Sequence, residues 1–232
     1  MREIVFDTET TGLNPAGGDR IVEIGCVEIF NRIETGRHFH AYFNPDCAMP
    51  SEAEAVHGLT AVFLSDKPRF SERVEDLLEF IEDSPLVAHN ASFDFGFLNF
   101  ELAGCGRPAV CTSRMVDTLA LARSKHPGAK HSLDALCMRF GVDRSHRVKH
   151  GALLDAQLLA QVYVELTGGR QIGLGLVADA GTVAAQASAR PVTVHAHRPP
   201  RSHSAAEEEL ARHRAFISRL VNPLWARFAS AG

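Results

Sequence analysis

Four carboxylates, Asp7, Glu9, Asp94 and Asp155, and one imidazole, His150, are the residues whose types and spacing suit chemistry at a metal. Asp7 and Glu9 flank Thr8 directly after the apolar run Ile4-Val5-Phe6, which reads as a buried strand. Side chains two apart on an extended chain share a face, so the two acids project together and Thr8 points the other way. Like charges at that distance repel and raise one pKa unless a cation compensates, and oxygen ligands favour a hard divalent ion such as Mg²⁺ or Mn²⁺. Taken alone, the pair reads more readily as a solvated strand end before the turn at Gly12.

Asp94 ends the stretch His89-Asn90-Ala91-Ser92-Phe93-Asp94, which reads as a strand-to-helix junction. Asp155 ends His150-Gly151-Ala152-Leu153-Leu154-Asp155, at the opening of another helix. Residues five apart stand about 140° around an ideal helix, so His150 and Asp155 converge only if His150 sits on the preceding loop or a distorted first turn.

The elements that must position these groups follow from periodicity. After strand one and the turn Asn14-Pro15-Ala16-Gly17-Gly18, residues 21–30 and 38–43 read as two more strands of an antiparallel meander, with residues 31–36 as the second turn. Pro50-Ser51-Glu52-Ala53-Glu54 predicts a capping box with Ser51 as N-cap, and Gly58 stops that short helix. Val74, Leu77, Leu78 and Ile81 mark a helix over 71–82, and Leu86-Val87-Ala88 a short buried strand. The next helix runs to Leu102, with Phe93, Phe97 and Phe100 expected against the sheet. Then come a strand over 110–116, a short helix over 117–123, a helix capped by Ser132 and running through Phe140, and a last core helix over 153–166. Three early strands followed by alternating helices and short strands make an α/β fold, a mixed sheet flanked by helices.

The 232 residues suffice for one sizeable α/β core plus an appendage. A formal net charge of -4 provides no global basic field, so a nucleic-acid partner would be met by a local site and bound metals. No apolar run approaches the roughly 18 to 20 residues that span a bilayer, and the opening residues do not read as a signal peptide, so no membrane partner and a cytoplasmic location are expected. The five cysteines, at 26, 47, 105, 111 and 137, lack CxxC spacing and read as reduced thiols.

Taken together, Asp7-Thr8-Glu9-Thr10-Thr11-Gly12-Leu13, His89-Asn90-Ala91-Ser92-Phe93-Asp94 and His150-Gly151-Ala152-Leu153-Leu154-Asp155 resemble the three exonuclease motifs of the DEDDh superfamily. The resemblance spans about residues 2 to 168. It implies a ribonuclease-H-like fold and metal-dependent 3′-to-5′ hydrolysis that releases nucleoside 5′-monophosphates. It places Asp7, Glu9, Asp94 and Asp155 around two divalent cations, Mg²⁺ or Mn²⁺, roughly 3.5 to 4 Å apart, with His150 as general base. Val56-His57-Gly58-Leu59-Thr60 resembles a segment that approaches the terminal nucleotide in that family. Thr10, Thr11, Leu13, His57, Asn90 and Phe93 are thereby candidates to hold a single-stranded or frayed 3′ DNA end. Alternatively, Thr10, Thr11 and Leu13 only build the turn, and His57 is only a cap or surface residue.

Residues beyond the core extend the resemblance to the proofreading subunits of the bacterial replicative polymerase, DNA polymerase III. Residues 170–176 contain Gln171, Leu174 and Leu176, a glutamine followed by apolar anchors, and resemble a sliding-clamp-binding peptide. Residues 177–204, Ala-rich with Pro191, Pro199 and Pro200, read as a flexible linker. Residues 205–232 read as an apolar-faced helix and tail, with a capping box from Ser204 to Glu207 and the helix ending near Asn222-Pro223. A lone amphipathic helix beyond a linker must fold back on the core or dock on a partner. The resemblance favours docking on the polymerase catalytic subunit through Leu220, Leu224 and Trp225. Two rival functions remain: a free-standing DNA or RNA 3′–5′ exonuclease, and a noncatalytic replisome tether, which would require neither the four acids nor His150.

Overall fold

The β-branched and aromatic run near the N-terminus forms the middle of a sheet. In the computed structural model, which describes residues 1–147, 149–169 and 204–221, β1 (Arg2–Thr10) is the central strand of five. It pairs antiparallel with β2 (Ile21–Phe30), which pairs antiparallel with β3 (Ile33–Tyr42). On its other side β1 runs parallel to β4 (Leu86–Ala88), and β4 runs parallel to β5 (Met115–Asp117). The order β3-β2-β1-β4-β5 is the mixed sheet expected.

The hairpin differs in detail. Its turn is only Asn31-Arg32, both at positive φ (50° and 67°), and β3 begins at Ile33 rather than His38. Gly36, expected inside the turn, lies in the strand at φ 83°, where the ladder slips between Val27 and Ile29. Glycine marks a bulge as readily as a turn, and only the pairing partner distinguishes them.

Helices cover both faces because successive β1 side chains alternate. Ile4 and Phe6 enter one cluster with Val74, Leu77 and Ile81 of α3 (Phe70–Ile81) and Phe95, Phe97, Leu98 and Leu102 of α4 (Ala91–Gly104). Val5 enters a second cluster with Ala156, Leu159, Ala160 and Tyr163 of α7 (Ala152–Leu166). The opposite side of α7 packs Leu158, Val162 and Leu166 with Ala122 of α5 (Thr118–Lys125) and Leu136 of α6 (Leu133–Phe140). Phe100, expected against the sheet, is 42% exposed; Phe95 takes that place. The β5 strand is shorter than residues 110–116, because Thr112–Arg114 forms a 3₁₀ turn.

Two caps fall elsewhere. Helix α1 (Ser51–His57), followed by the single turn α2 (Ala61–Leu64), is preceded by Pro50 without a side-chain cap, and the Ser51 hydroxyl contacts Glu52 instead. In the tail, Ala206 precedes α8 (Glu207–Ile217) and donates its N–H to Glu209, so the box begins two residues after Ser204. In the tail the Glu209 carboxylate closes the helix start, whereas at α1 Pro50 only sets the entering backbone and no side chain caps the first turn.

The chain divides into two units, Met1–Val177 and Ala178–Gly232. In the second, α8 ends at Ile217, before the expected Asn222-Pro223, and has no buried residue; Leu210, Phe216 and Leu220 are exposed. Gln171, Leu174, Leu176, most of the 177–204 linker, Leu224 and Trp225 lie outside the described residues. Among the described residues, no helix is long and apolar enough to cross a membrane.

Candidate active site

Each acid is held by a different kind of local structure. Asp7 and Glu9 project from the C-terminal end of β1, and Thr8 between them points toward α4, where its hydroxyl donates to Asp94 Oδ1 at 2.7 Å. Asp94 sits in the first turn of α4, whose N-cap Asn90 adopts a left-handed φ of 65° and donates its N–H to Asp117 Oδ1 at 3.1 Å. Asp117 also caps α5 through the Leu119 N–H, so the ends of β4 and β5 are tied together beneath the acids.

Asp155 comes from the first turn of α7 and is 3% exposed. That turn reaches the sheet through Gly25, which pairs with Asp7 across the β1–β2 ladder. A Cβ on Gly25 would stand 2.3 Å from the Leu153 backbone nitrogen and Cα, so a hydrogen atom there is what lets the helix start seat beside Asp7. His150 lies on the loop before the extended Gly151, as its separation from Asp155 requires, and its Nδ1 is 3.4 Å from Asp155 Oδ2. The acceptor atoms of Glu9, His150 and Asp155 all lie within 4.8 Å of one another, with Asp7 and Asp94 lining the same cleft of about 270 Å³.

Burial and mutual repulsion act on these acids as their crowding demands. Desolvation, then the charges of Asp94, Glu9 and Asp155, hold the Asp7 carboxyl well above the carboxylate range. Glu9 is pushed up to about 8, first by burial and then by Asp155 and Glu23. Asp94 rises to about 7 through burial, against the stabilising bond from Thr8. Buried oxygen donors that resist carrying their charges unaided fit a hard divalent cation.

Arg147 is also part of this site, without any local pattern along the chain to mark it. It is 9% exposed, grips Asp155 with two parallel bonds (Nε to Oδ1 2.5 Å, Nη2 to Oδ2 2.6 Å), donates to Asp134 at 2.8 Å and to His150 Nδ1 at 2.9 Å. Its charge lowers the pKa of both Asp7 and Glu9. Spacing could not have marked it, because a lone arginine in a loop carries no local pattern.

A second cavity of about 480 Å³ adjoins the acid cleft and shares Thr8, Glu9 and Phe93 with it. Leu13, 84% exposed, Val56 and Phe93 give it apolar walls, and Thr10, Thr11 and His57 also line it. The Thr10 hydroxyl donates to Gly12 O, and the Thr11 hydroxyl accepts from Arg20 N–H, so both side chains build the loop. His57 Nδ1 accepts from Leu59 N–H, which places the proton on Nε2, and buried Nε2–H makes no well-formed hydrogen bond among the described residues, with the Thr10 backbone carbonyl near enough to favour its charged form. Burial holds this imidazole below its ordinary value. Asn90 is exposed and lines neither cavity.

The geometry agrees with three independent likenesses. Residues 4–163 match the family model described as RNase_T, Exonuclease. The DNA polymerase III subunit epsilon of Rickettsia conorii is 48% identical over 224 residues, covering 95% of this chain and 97% of that one. The subunit of the same name from Escherichia coli K12 is 42% identical over 222 residues, covering 92% and 91%. Among solved structures, exonuclease X in complex with 5′ overhanging duplex DNA aligns with a TM-score of 0.56 at 28% identity, over 71% of this chain and 90% of that one. The nuclease domain of 3′hExo, a DEDDh family member bound to rAMP, aligns with a TM-score of 0.62 at 16% identity over 72% and 91%, a likeness of fold. This chain belongs to the exonuclease family of that model, with the DNA polymerase III epsilon subunits among its relatives, and is a 3′–5′ exonuclease.

Proposed function

We propose that the acid cleft hydrolyses the terminal phosphodiester of a single-stranded or frayed 3′ DNA end, releasing nucleoside 5′-monophosphates, with Asp7, Glu9, Asp94 and Asp155 holding two divalent ions, Mg²⁺ or Mn²⁺. The observation that carries this reading is the meeting of Glu9, Asp155 and His150 within 4.8 Å at the mouth of a cleft that also holds Asp7 and Asp94. Bound divalent ions supply the positive charge that lets an anionic phosphodiester approach four carboxylates and that favours attack at phosphorus. His150, half exposed beside Asp155, accepts the proton of the attacking water at Nδ1. Leu13, Val56 and Phe93 bracket the terminal base, the Thr10 and Thr11 backbone steadies the strand end, and Nε2–H of His57 is a donor for the terminal sugar. Asn90 orders the start of α4 more directly than it reaches a nucleotide.

As a chain of the epsilon kind, it proofreads for a bacterial replicative polymerase in the cytoplasm. Residues 171–176 are proposed to engage the sliding clamp through Gln171, Leu174 and Leu176, and residues 205–232 the polymerase catalytic subunit through Leu220, Leu224 and Trp225. The exposed Leu210 and Phe216 of α8, and Leu220 just past its end, are apolar side chains in that tail open to a partner. The test is to incubate the full chain with a 3′-mismatched primer and Mg²⁺ or Mn²⁺ and follow the release of 5′-monophosphates. Shortening from the 3′ end, abolished by Asp155→Ala in a folded protein, is the expected result; undiminished turnover in that variant overturns the site.

A further inference from the structure

A guanidinium stands where the acid cluster would be expected to meet a cation. Arg147 holds both oxygens of Asp155, and the same Nη2 that bonds Oδ2 also donates to His150 Nδ1 at 2.9 Å. An imidazole nitrogen that accepts such a bond offers no lone pair to a water molecule. Asp155 has one lone pair of each oxygen taken, and its charge met, by a fork that matches carboxylate geometry, so a cation must compete with the arginine for it. One side chain thus masks a proposed metal ligand and the proposed base together.

The arginine also has a second place to rest. Its Nη1 bonds Asp134 Oδ1 at 2.8 Å, at the rim of the cleft, where Asp134 is further paired with Arg144. Asp134 is 44% exposed whereas Asp155 is 4%, so the two partners of Arg147 lie at the outer and inner ends of its reach. Letting go of Asp155 would leave the guanidinium tethered to Asp134 rather than free in solvent.

We propose that Arg147 is a resting clasp: it neutralises the acid cluster in the metal-free protein, competes with divalent ions for Asp155, and swings onto Asp134 when the ions and the DNA end arrive. This rests on the two-metal reading above. The physical reason for such a device is that buried carboxylates without a cation repel one another and would splay the site. An internal cation keeps them assembled, at the expense of weaker metal binding. Arg147 is in this sense a positioning residue that withholds His150 and Asp155 until a cation replaces it.

Mn²⁺ binding to the full chain, followed by titration calorimetry and by the electron paramagnetic resonance signal of free Mn²⁺, tests the clasp without reference to turnover. Arg147→Met is expected to bind Mn²⁺ roughly fivefold or more tightly than the parent and to melt at a lower temperature without metal, so that Mn²⁺ raises its melting temperature by more. Arg147→Lys, which keeps the charge but not the fork, is expected to fall between the two and serves if the methionine variant does not fold. Asp134→Asn removes the outer rest and is expected to weaken Mn²⁺ binding, an effect that disappears when Arg147→Met is also present. Unchanged or weaker Mn²⁺ affinity in folded Arg147 variants overturns the clasp while leaving the two-metal reading intact. A parent chain that binds no Mn²⁺ overturns both.

Discussion

The site is made of two regions built differently. The acids Asp7, Glu9, Asp94 and Asp155 stand on a central strand and on the first turns of two long helices, and Glu9, Asp94 and Asp155 are all under 9% exposed. Arg147 and His150 stand on the irregular segment between α6 and α7, and the His150 side chain is 50% exposed. The scaffold fixes groups that must keep one geometry, whereas a loop carries groups that must move or exchange partners. The acid half is accordingly buried and electrostatically strained, and Arg147 of the loop half relieves that strain at Asp7 and Glu9.

The sharpest way to break this contrast is to remove a scaffold acid. Asp7→Ala is expected to lower turnover on single-stranded DNA by a factor on the order of 10³ or more, with circular dichroism unchanged, because an element held on β1 has no substitute nearby. Next is the loop: His150→Gln is expected to lose about 10²-fold in turnover while retaining Mn²⁺ binding, which separates proton transfer from the acid cluster. Equal losses of Mn²⁺ affinity in the two variants would erase the distinction between the regions.

A steric test probes the scaffold alone. Gly25→Val places carbon atoms against the Ala152-Leu153 backbone and is expected to cost about 1–3 kcal/mol in chemical denaturation, with activity falling as α7 backs away from Asp7. If both activity and stability survive, the close approach does not set the site.

Proton linkage sharpens the electrostatic side of the comparison. Glu9 is raised to about 8 and Asp94 to about 7, so the folded metal-free chain binds more protons than the unfolded chain between the ordinary carboxylate range and those values. Stability from these groups is therefore full below about pH 4 and is lost progressively as pH rises from there up through about 7 to 8. Melting curves without metal are expected to drop by a few degrees over that span. Glu9→Gln should flatten the decline, and saturating Mn²⁺ should reverse it, because the ion replaces the protons. The smallest effect is expected for the tail: removing residues 205–232 should leave nuclease activity on single strands within about twofold while abolishing capture by the polymerase subunit.

Most of the element order was legible along the chain, because hydrophobic periodicity is local. The 3.6-residue recurrence of Val74, Leu77 and Ile81 needs no knowledge of what covers it, and the apolar run Ile4-Val5-Phe6 reads as a strand without its partners. Boundaries were less legible where one residue type serves two ends. Gly36 marks a bulge rather than a turn, and Ser51 and Ser204 sit near helix starts that are capped otherwise. Phe100 is exposed where burial was expected, and Phe95 is buried, because a helix that is apolar nearly all round does not announce which face meets the sheet.

The sequence by itself determined which groups are able to do chemistry: the spacing of Asp7 and Glu9 on one strand face, the acid at a strand-to-helix junction, and a histidine that had to precede its helix to meet Asp155. Only the tertiary structure decided that segments separated by up to some 150 residues converge, that Gly25 leaves room for them to do so, and that Arg147 stands among them. The reason is one of range. Propensity and periodicity are set by neighbours within a few residues, whereas the charge felt by a buried carboxylate is set by whatever the fold brings within a few ångströms, however distant along the chain.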